Sequence, residues 1–190
     1  MGTVQTLRKN RWLLALCGGL YLIVSLIFVF IIRGMDGPMT FHAWNGTMLF
    51  LGKVQILTGA CLIATGIWRS AAGKCWLLVV NGVALCVLGL LYHGAFGGRI
   101  SFRAIALLIA AMALSTCILQ LRTPAARSLN GLGGAVSIAF ALVFLGFVFH
   151  WIRLNPGSPA QSLVWLGSYF GFTAICLFAF AWSLRESVVK

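Results

Sequence analysis

Residues Trp12–Ile32 read WLLALCGGLYLIVSLIFVFII, an unbroken run without a single charge. A helix of ~20 residues spans the ~30 Å hydrocarbon core of a bilayer. Lipid offers no partners to backbone N–H and C=O groups, so such a run must satisfy them internally as a helix. Five further apolar stretches follow at roughly 46–68, 75–95, 101–122, 131–152 and 162–184. Together they leave almost nothing for a soluble domain. The sequence therefore predicts an all-α membrane protein with six transmembrane helices, one transmembrane domain over residues 1–190. Any function must sit in the bundle or at its two mouths.

Composition supports the same class. The chain is 61% hydrophobic and 8% charged, where a soluble domain carries roughly 25% charged residues. Lys and Arg number 14 against two acids, Asp36 and Glu186. On a soluble protein that balance would suggest nucleic acid. Here the cations fall between apolar stretches, where they orient helices in the membrane, and no nucleic-acid partner is expected. The expected partner is the lipid bilayer, with a homo-oligomer or a second membrane protein as further candidates. Six cysteines occur without a CxxC pair, and five lie within apolar stretches, where free Cys packs as a small hydrophobe. Basic residues precede the first run, but that run is too long for a signal-peptide core and lacks a small-residue cleavage pattern, so it reads as a retained helix.

The breaks between runs are chemical. Gly34-Met35-Asp36-Gly37-Pro38, Gly97-Gly98-Arg99, Thr123-Pro124 and Asn155-Pro156-Gly157-Ser158-Pro159 are the expected punctuation. With the N-terminus inside, nine cations share its side: Arg8, Lys9, Arg11, Arg69, Lys74, Arg122, Arg127, Arg185 and Lys190. Arg33, Arg99, Arg103 and Arg153 face the other way, with Lys53 a fifth if it snorkels outward. Nine against five places both termini in the cytoplasm. Trp12, Trp44, Trp68, Trp76, Trp151 and Trp182 fall at or near predicted helix ends, as an interfacial aromatic belt requires.

The chain also repeats itself. The first run has Trp12, Gly18 and Ser25; the third has Trp76, Gly82 and Gly89 at the same spacings. In the even runs Gly52, Thr58, Cys61, Leu62 and Ala64 match Gly167, Thr173, Cys176, Leu177 and Ala179 at one constant offset. Three copies of a helical hairpin account for this pattern. Small residues seven apart lie nearly on one face, with a drift of ~20°. Gly18 with Ser25, Gly52 with Gly59, and Gly82 with Gly89 would each form a flat stripe for close helix approach.

Three hairpins with small-x6-small odd helices, a break near Pro and Gly-bearing even helices resemble the HdeD acid-resistance family of bacterial inner-membrane proteins. The third copy carries Asn155-Pro156, Leu166-Gly167-Ser168-Tyr169 and Ala174; the first carries Gly18, Ser25, Gly37-Pro38, Gly52 and Gly59. The middle copy departs, with Gly97-Gly98 in place of the proline. The resemblance covers about residues 11–185. It implies a location in the bacterial inner (plasma) membrane and a role in acid or envelope stress tolerance, and it supplies no catalytic residues.

Ionisable groups inside a membrane are functional candidates by default. Lys53 is the most inward cation, either snorkelling outward or lining the bundle with Asn81 and Thr58 as a ligand site. Gln55, Thr65, Ser115, Thr116 and Gln120 are further polar groups within the spans, suited to interhelical hydrogen bonds. His42 is expected in the first outer loop, and His93 and His150 near the outer ends of the third and fifth helices. Histidine titrates near pH ~6.5 when unperturbed, so the trio is a candidate acid sensor working by repulsion against Arg33, Arg99 and Arg153. A bis-His haem site between His93 and His150 is the competing reading, and no cofactor is the expectation. No carboxylate pair, Walker A, HExxH or GxSxG pattern is present, so an enzyme is not expected. The expected function is non-enzymatic stress tolerance. A small-solute transporter or channel is the alternative, and it would need a midplane cavity or broken helices.

Overall fold

The computed structural model describes residue 7 and residues 9–35, 41–68, 75–92, 102–121, 127–152 and 159–186. Six helices occupy them: α1 Arg11–Met35, α2 Phe41–Ile67, α3 Trp76–Tyr92, α4 Phe102–Leu121, α5 Arg127–Val148 and α6 Pro159–Glu186. Pro159 opens α6, a position where its missing N–H leaves no bond unmade. The described stretches 11–34, 46–67, 102–121 and 161–184 are long and apolar enough to cross a membrane. The apolar parts 76–92 and 133–148 are shorter. At 1.5 Å per residue, the 17 residues of α3 reach about 25 Å, the lower limit for a span.

Each helix packs on its chain neighbours and α6 returns to α1, so the six close in the order α1 to α6. The most extensive interfaces are α2·α3, α1·α6 and α4·α5. The pairs that the sequence groups as hairpins, α1·α2, α3·α4 and α5·α6, are smaller, and α5·α6 is the slightest.

Side-chain size explains the ranking. A Cβ placed on Gly59 would stand 2.5 Å from the carbonyl oxygen of Gly82, and one on Gly89 would stand 2.6 Å from that of Gly52. Only a missing side chain allows such approach between α2 and α3. On the other side of the bundle, Ser25 of α1 donates its hydroxyl to Gly167 O of α6 at 2.9 Å. A Cβ on Gly18 would lie 3.3 Å from Ala174 O. Between α5 and α6, by contrast, rings intervene. Tyr169 meets Phe140 and Phe144 with centroids 5.7 and 6.0 Å apart, and Trp165 meets Phe147 at 6.1 Å. Bulky pairs hold those two backbones apart.

α1 and α2 meet at one end and part at the other. The Asn10 amide donates to Thr65 O at 3.1 Å and Trp68 O at 2.5 Å, capping carbonyls at the C-terminal end of α2 that no longer have a helical partner. Towards the opposite end a groove of about 450 Å³ opens between the helices.

Most predicted boundaries fall within a few residues of the observed ones. Two differ instructively. α2 begins at Phe41, so His42 stands in the first turns of a helix and not in a loop. α5 ends at Val148, and the chain turns at His150, whose φ of 59° lies in the left-handed region. Ile152 N–H then bonds back to Gly146 O at 3.1 Å. A Cβ on Gly146 would meet the Ile152 side chain at 2.8 Å, so that glycine makes room for the returning chain. Trp12, Trp68, Trp76, Trp151 and Trp182 are all exposed at or close to helix ends.

Candidate functional site: a neutral polar layer inside the bundle

Among the described residues, every buried polar side chain is uncharged. Asn10, Gln55, Thr58, Thr65, Asn81, Ser115, Thr116, Gln120, Ser137, Thr173 and Ser183 make up that set. Several of them converge across the interior from α3 through α4 to α6.

Asn81 on α3 is the hub. Its amide donates to Thr116 Oγ1 on α4 at 3.1 Å, and the Ser115 hydroxyl donates to its Oδ1. Thr116 donates its own hydroxyl to Met112 O at 2.8 Å, so one hydroxyl both accepts across the interface and donates within its helix. The Tyr169 ring of α6 reaches the same level, with the Thr116 and Thr173 hydroxyls as its polar neighbours. Yet the Tyr169 hydroxyl itself is buried without a hydrogen-bond partner. Phe170, beside it, stacks on Phe28 and tilts against Tyr21, which carries the layer round to α1.

Two glutamines extend the layer. Gln55 of α2 is fully buried, and neither its amide nitrogen nor its oxygen has a partner. Gln120 of α4 lies beside Cys176 of α6, and its Oε1 is also unpartnered. A Cβ on Gly133 of α5 would stand 3.0 Å from that oxygen, so the amide occupies space the glycine leaves. Gln55 thus has both polar atoms unpartnered, whereas Gln120 Oε1 and the Tyr169 hydroxyl lie among polar neighbours, Cys176 for the first and Thr116 and Thr173 for the second, without a well-formed bond.

The predicted ligand residues divide. Asn81 is buried and satisfied by α4. Thr58 is buried and donates to Val54 O on its own helix at 2.6 Å, the same bond that Thr173 makes to Tyr169 O at 2.8 Å. Lys53 does not line the bundle: it is exposed on the outer face of α2, in one stripe with Gly46, Phe50 and Leu57. From that face its long stem can snorkel towards the membrane surface and keep the ammonium hydrated, a route the closed interior does not offer. Of the three histidines, His150 is exposed in the turn after α5. The His42 side chain and the whole of His93 lie outside the described residues, so the sensing cluster and the bis-His geometry fall there too. All six cysteines are free thiols; Cys17, Cys75 and Cys117 are buried. Among the described residues, no three His, Cys, Asp or Glu side chains group as a metal site would require.

Sequence reasoning identified the residue types of the layer but not Tyr169, whose signal was only its place in Leu166-Gly167-Ser168-Tyr169. Asn10 was also missed; an Asn directly before the first span was its only sign.

These features define a helical multi-pass membrane protein whose buried polar side chains, among the described residues, are all uncharged. No family model, no curated protein and no solved structure matches the chain.

Proposed function

We propose that this protein is a non-enzymatic component of acid or envelope stress tolerance in a bacterial inner membrane, as its resemblance to the HdeD family implies. The supporting observation is the uncharged interior. Acid unfolds proteins mainly by protonating carboxylates that the native state holds ionised, and by charging buried histidines. The buried polar residues described include neither. A bundle of this kind keeps its packing as the external pH falls. Its helices run unbroken through the described residues and meet through small residues, which suits a closed structure better than a gated path.

In this reading the chain is three hairpins arranged around one axis, with both termini in the cytoplasm. The close interfaces α2·α3, α4·α5 and α6·α1 then join successive copies. The offset that matches the even helices carries Gly59 onto Ala174 and Gly52 onto Gly167. The partners correspond as well: Gly82 and Gly89 face the first pair, Gly18 and Ser25 the second. Acid survival of a deletion strain tests the proposal. Loss of survival, restored by the wild-type gene, is expected; unchanged survival rejects it. A triple His42→Gln, His93→Gln, His150→Gln variant at equal expression separates sensing from structure, since full rescue would remove the histidines from the mechanism.

One observation favours a second reading. The unpartnered polar atoms of Gln55, Gln120 and Tyr169 suit a small neutral hydrogen-bonding solute. A carrier of that kind would release such a solute from loaded liposomes; a closed bundle would hold it at the rate of protein-free vesicles.

A further inference from the structure

A groove runs between α1 and α2 towards the end of α1 that carries Arg33. Ile23, Leu26, Ile27 and Phe30 of α1 form one wall, and Gly46 and Phe50 of α2 form the other. Phe30 and Phe50 are 63% and 55% exposed, so the groove faces lipid and not the bundle interior. Apolar space in a bilayer is filled by hydrocarbon, and a cleft of about 450 Å³ takes a length of acyl chain.

The rim is basic. Arg33 stands three residues after Phe30 and is exposed in the last turn of α1. Lys53 stands three residues after Phe50 and is exposed on the same face of α2. Helical side chains lean towards the N-terminus of their helix. For α2 that direction leads from Lys53 past Phe50 towards Gly46, so the long Lys53 stem can reach back along the wall towards the end where Arg33 stands. Phosphate matches both cations: Arg by a two-toothed hydrogen bond, Lys as a point charge. Asp36 is the one acid in the connection that follows, outside the described residues, and two cations exceed it.

We propose that this groove is a binding site for one anionic phospholipid, its acyl chain between α1 and α2 and its phosphate between Arg33 and Lys53. A zwitterionic lipid can fill the same groove, but its amine opposes the two cations. Each basic residue near a membrane surface contributes about a five-fold preference for anionic lipid.

The test is native mass spectrometry of the purified full chain. It is released from micelles holding equal amounts of phosphatidylglycerol and phosphatidylethanolamine with identical acyl chains. The wild type is expected to retain phosphatidylglycerol about 25-fold more often, about five-fold for each of the two cations. Lys53→Gln reduces that ratio about five-fold, and Arg33→Gln/Lys53→Gln brings the two lipids to parity. Gly46→Leu tests the groove itself. A Cβ there meets nothing within 4 Å, so the new side chain enters open space and blocks both lipids while leaving the thermal midpoint unchanged. A wild-type ratio near one overturns the proposal. So does a preference that survives the double substitution, or one that persists in Gly46→Leu.

Discussion

Adding one methyl group to Gly59 should separate two helices. The new Cβ would stand 2.5 Å from both Gly82 O and Cys86 Sγ, and 2.9 Å from Cys86 N. Two of these three atoms are backbone, so no rotamer change relieves the clash. Ordinary contact is ~3.5 Å, so α2 and α3 must move apart by about 1 Å locally. A gap of that size forfeits up to about half of each dispersion contact worth ~0.1–0.2 kcal/mol, and a few tens of contacts lose roughly 2–3 kcal/mol. Alanine returns up to about 1 kcal/mol in helix propensity. Gly59→Ala should therefore destabilise by about 2 kcal/mol net, in the usual range for overpacking. Gly82→Ala, whose Cβ would meet Gly59 O at 2.6 Å, should behave alike. The double variant should lose less than the sum, because one separation relieves both clashes. Gly19→Ala and Gly46→Ala are the controls: neither Cβ meets anything within 4 Å, so both should be neutral or slightly stabilising. SDS-driven unfolding from detergent micelles, followed by tryptophan fluorescence, measures all five. If Gly59→Ala and Gly82→Ala match the controls to within ~0.5 kcal/mol, the packing argument is wrong.

Three further outcomes follow from the interior. Asn81→Leu combined with Thr116→Val in a double-mutant cycle should give a coupling of about 0.6–1.7 kcal/mol, the range for interhelical hydrogen bonds in membranes; a coupling near zero would mean the pair contributes nothing net. Gln55→Leu should stabilise the protein by roughly 1 kcal/mol, because it removes a buried amide with two unpartnered atoms; destabilisation would mean the amide has a partner in the working protein and would favour the solute-binding reading. Stability should change little between pH 7 and pH 4. A carboxylate held ionised would lose its contribution as pH falls through its folded pKa, and a buried neutral histidine would likewise destabilise on charging; the buried polar residues described include neither, so a loss above ~1.4 kcal/mol in the same unfolding assay would contradict the fold.

Much of the fold was legible because hydropathy measures the property lipid selects. Trp12–Ile32 could hardly be anything but a span. The predicted span 46–68 matches the apolar stretch 46–67, but the helix that carries it starts earlier, at Phe41. Phe41-His42-Ala43-Trp44-Asn45 is not continuously apolar, yet the helix includes it, because backbone hydrogen bonds need no apolar side chains. Hydropathy reports what lies in lipid, not where helical geometry stops. The small-residue stripes were legible for the same kind of reason: a seven-residue period places Gly52 and Gly59 on one face whatever they touch. Which helix they touch was not legible, because any glycine face suits any other.

That difference decides how the repeat should be understood. Offsets along a chain identify units that resemble one another; they do not say whether a unit packs within itself or against the next. Here side-chain size answers the question. Gly59, Gly82 and Gly89 let α2 and α3 approach until backbone meets backbone, whereas Phe140, Phe144 and Tyr169 hold α5 and α6 apart. Large rings leave space between helices as well as filling it. The Tyr169 hydroxyl lies on the ring-filled side, and the Asn81 bonds join α3 to α4. The Asn81 and Tyr169 parts of the polar layer therefore sit at the smaller α3·α4 and α5·α6 contacts, away from the glycine-lined α2·α3 seam. Substitutions that change interior chemistry should be tolerated there, while the glycine-lined α2·α3 contact keeps the helices in register.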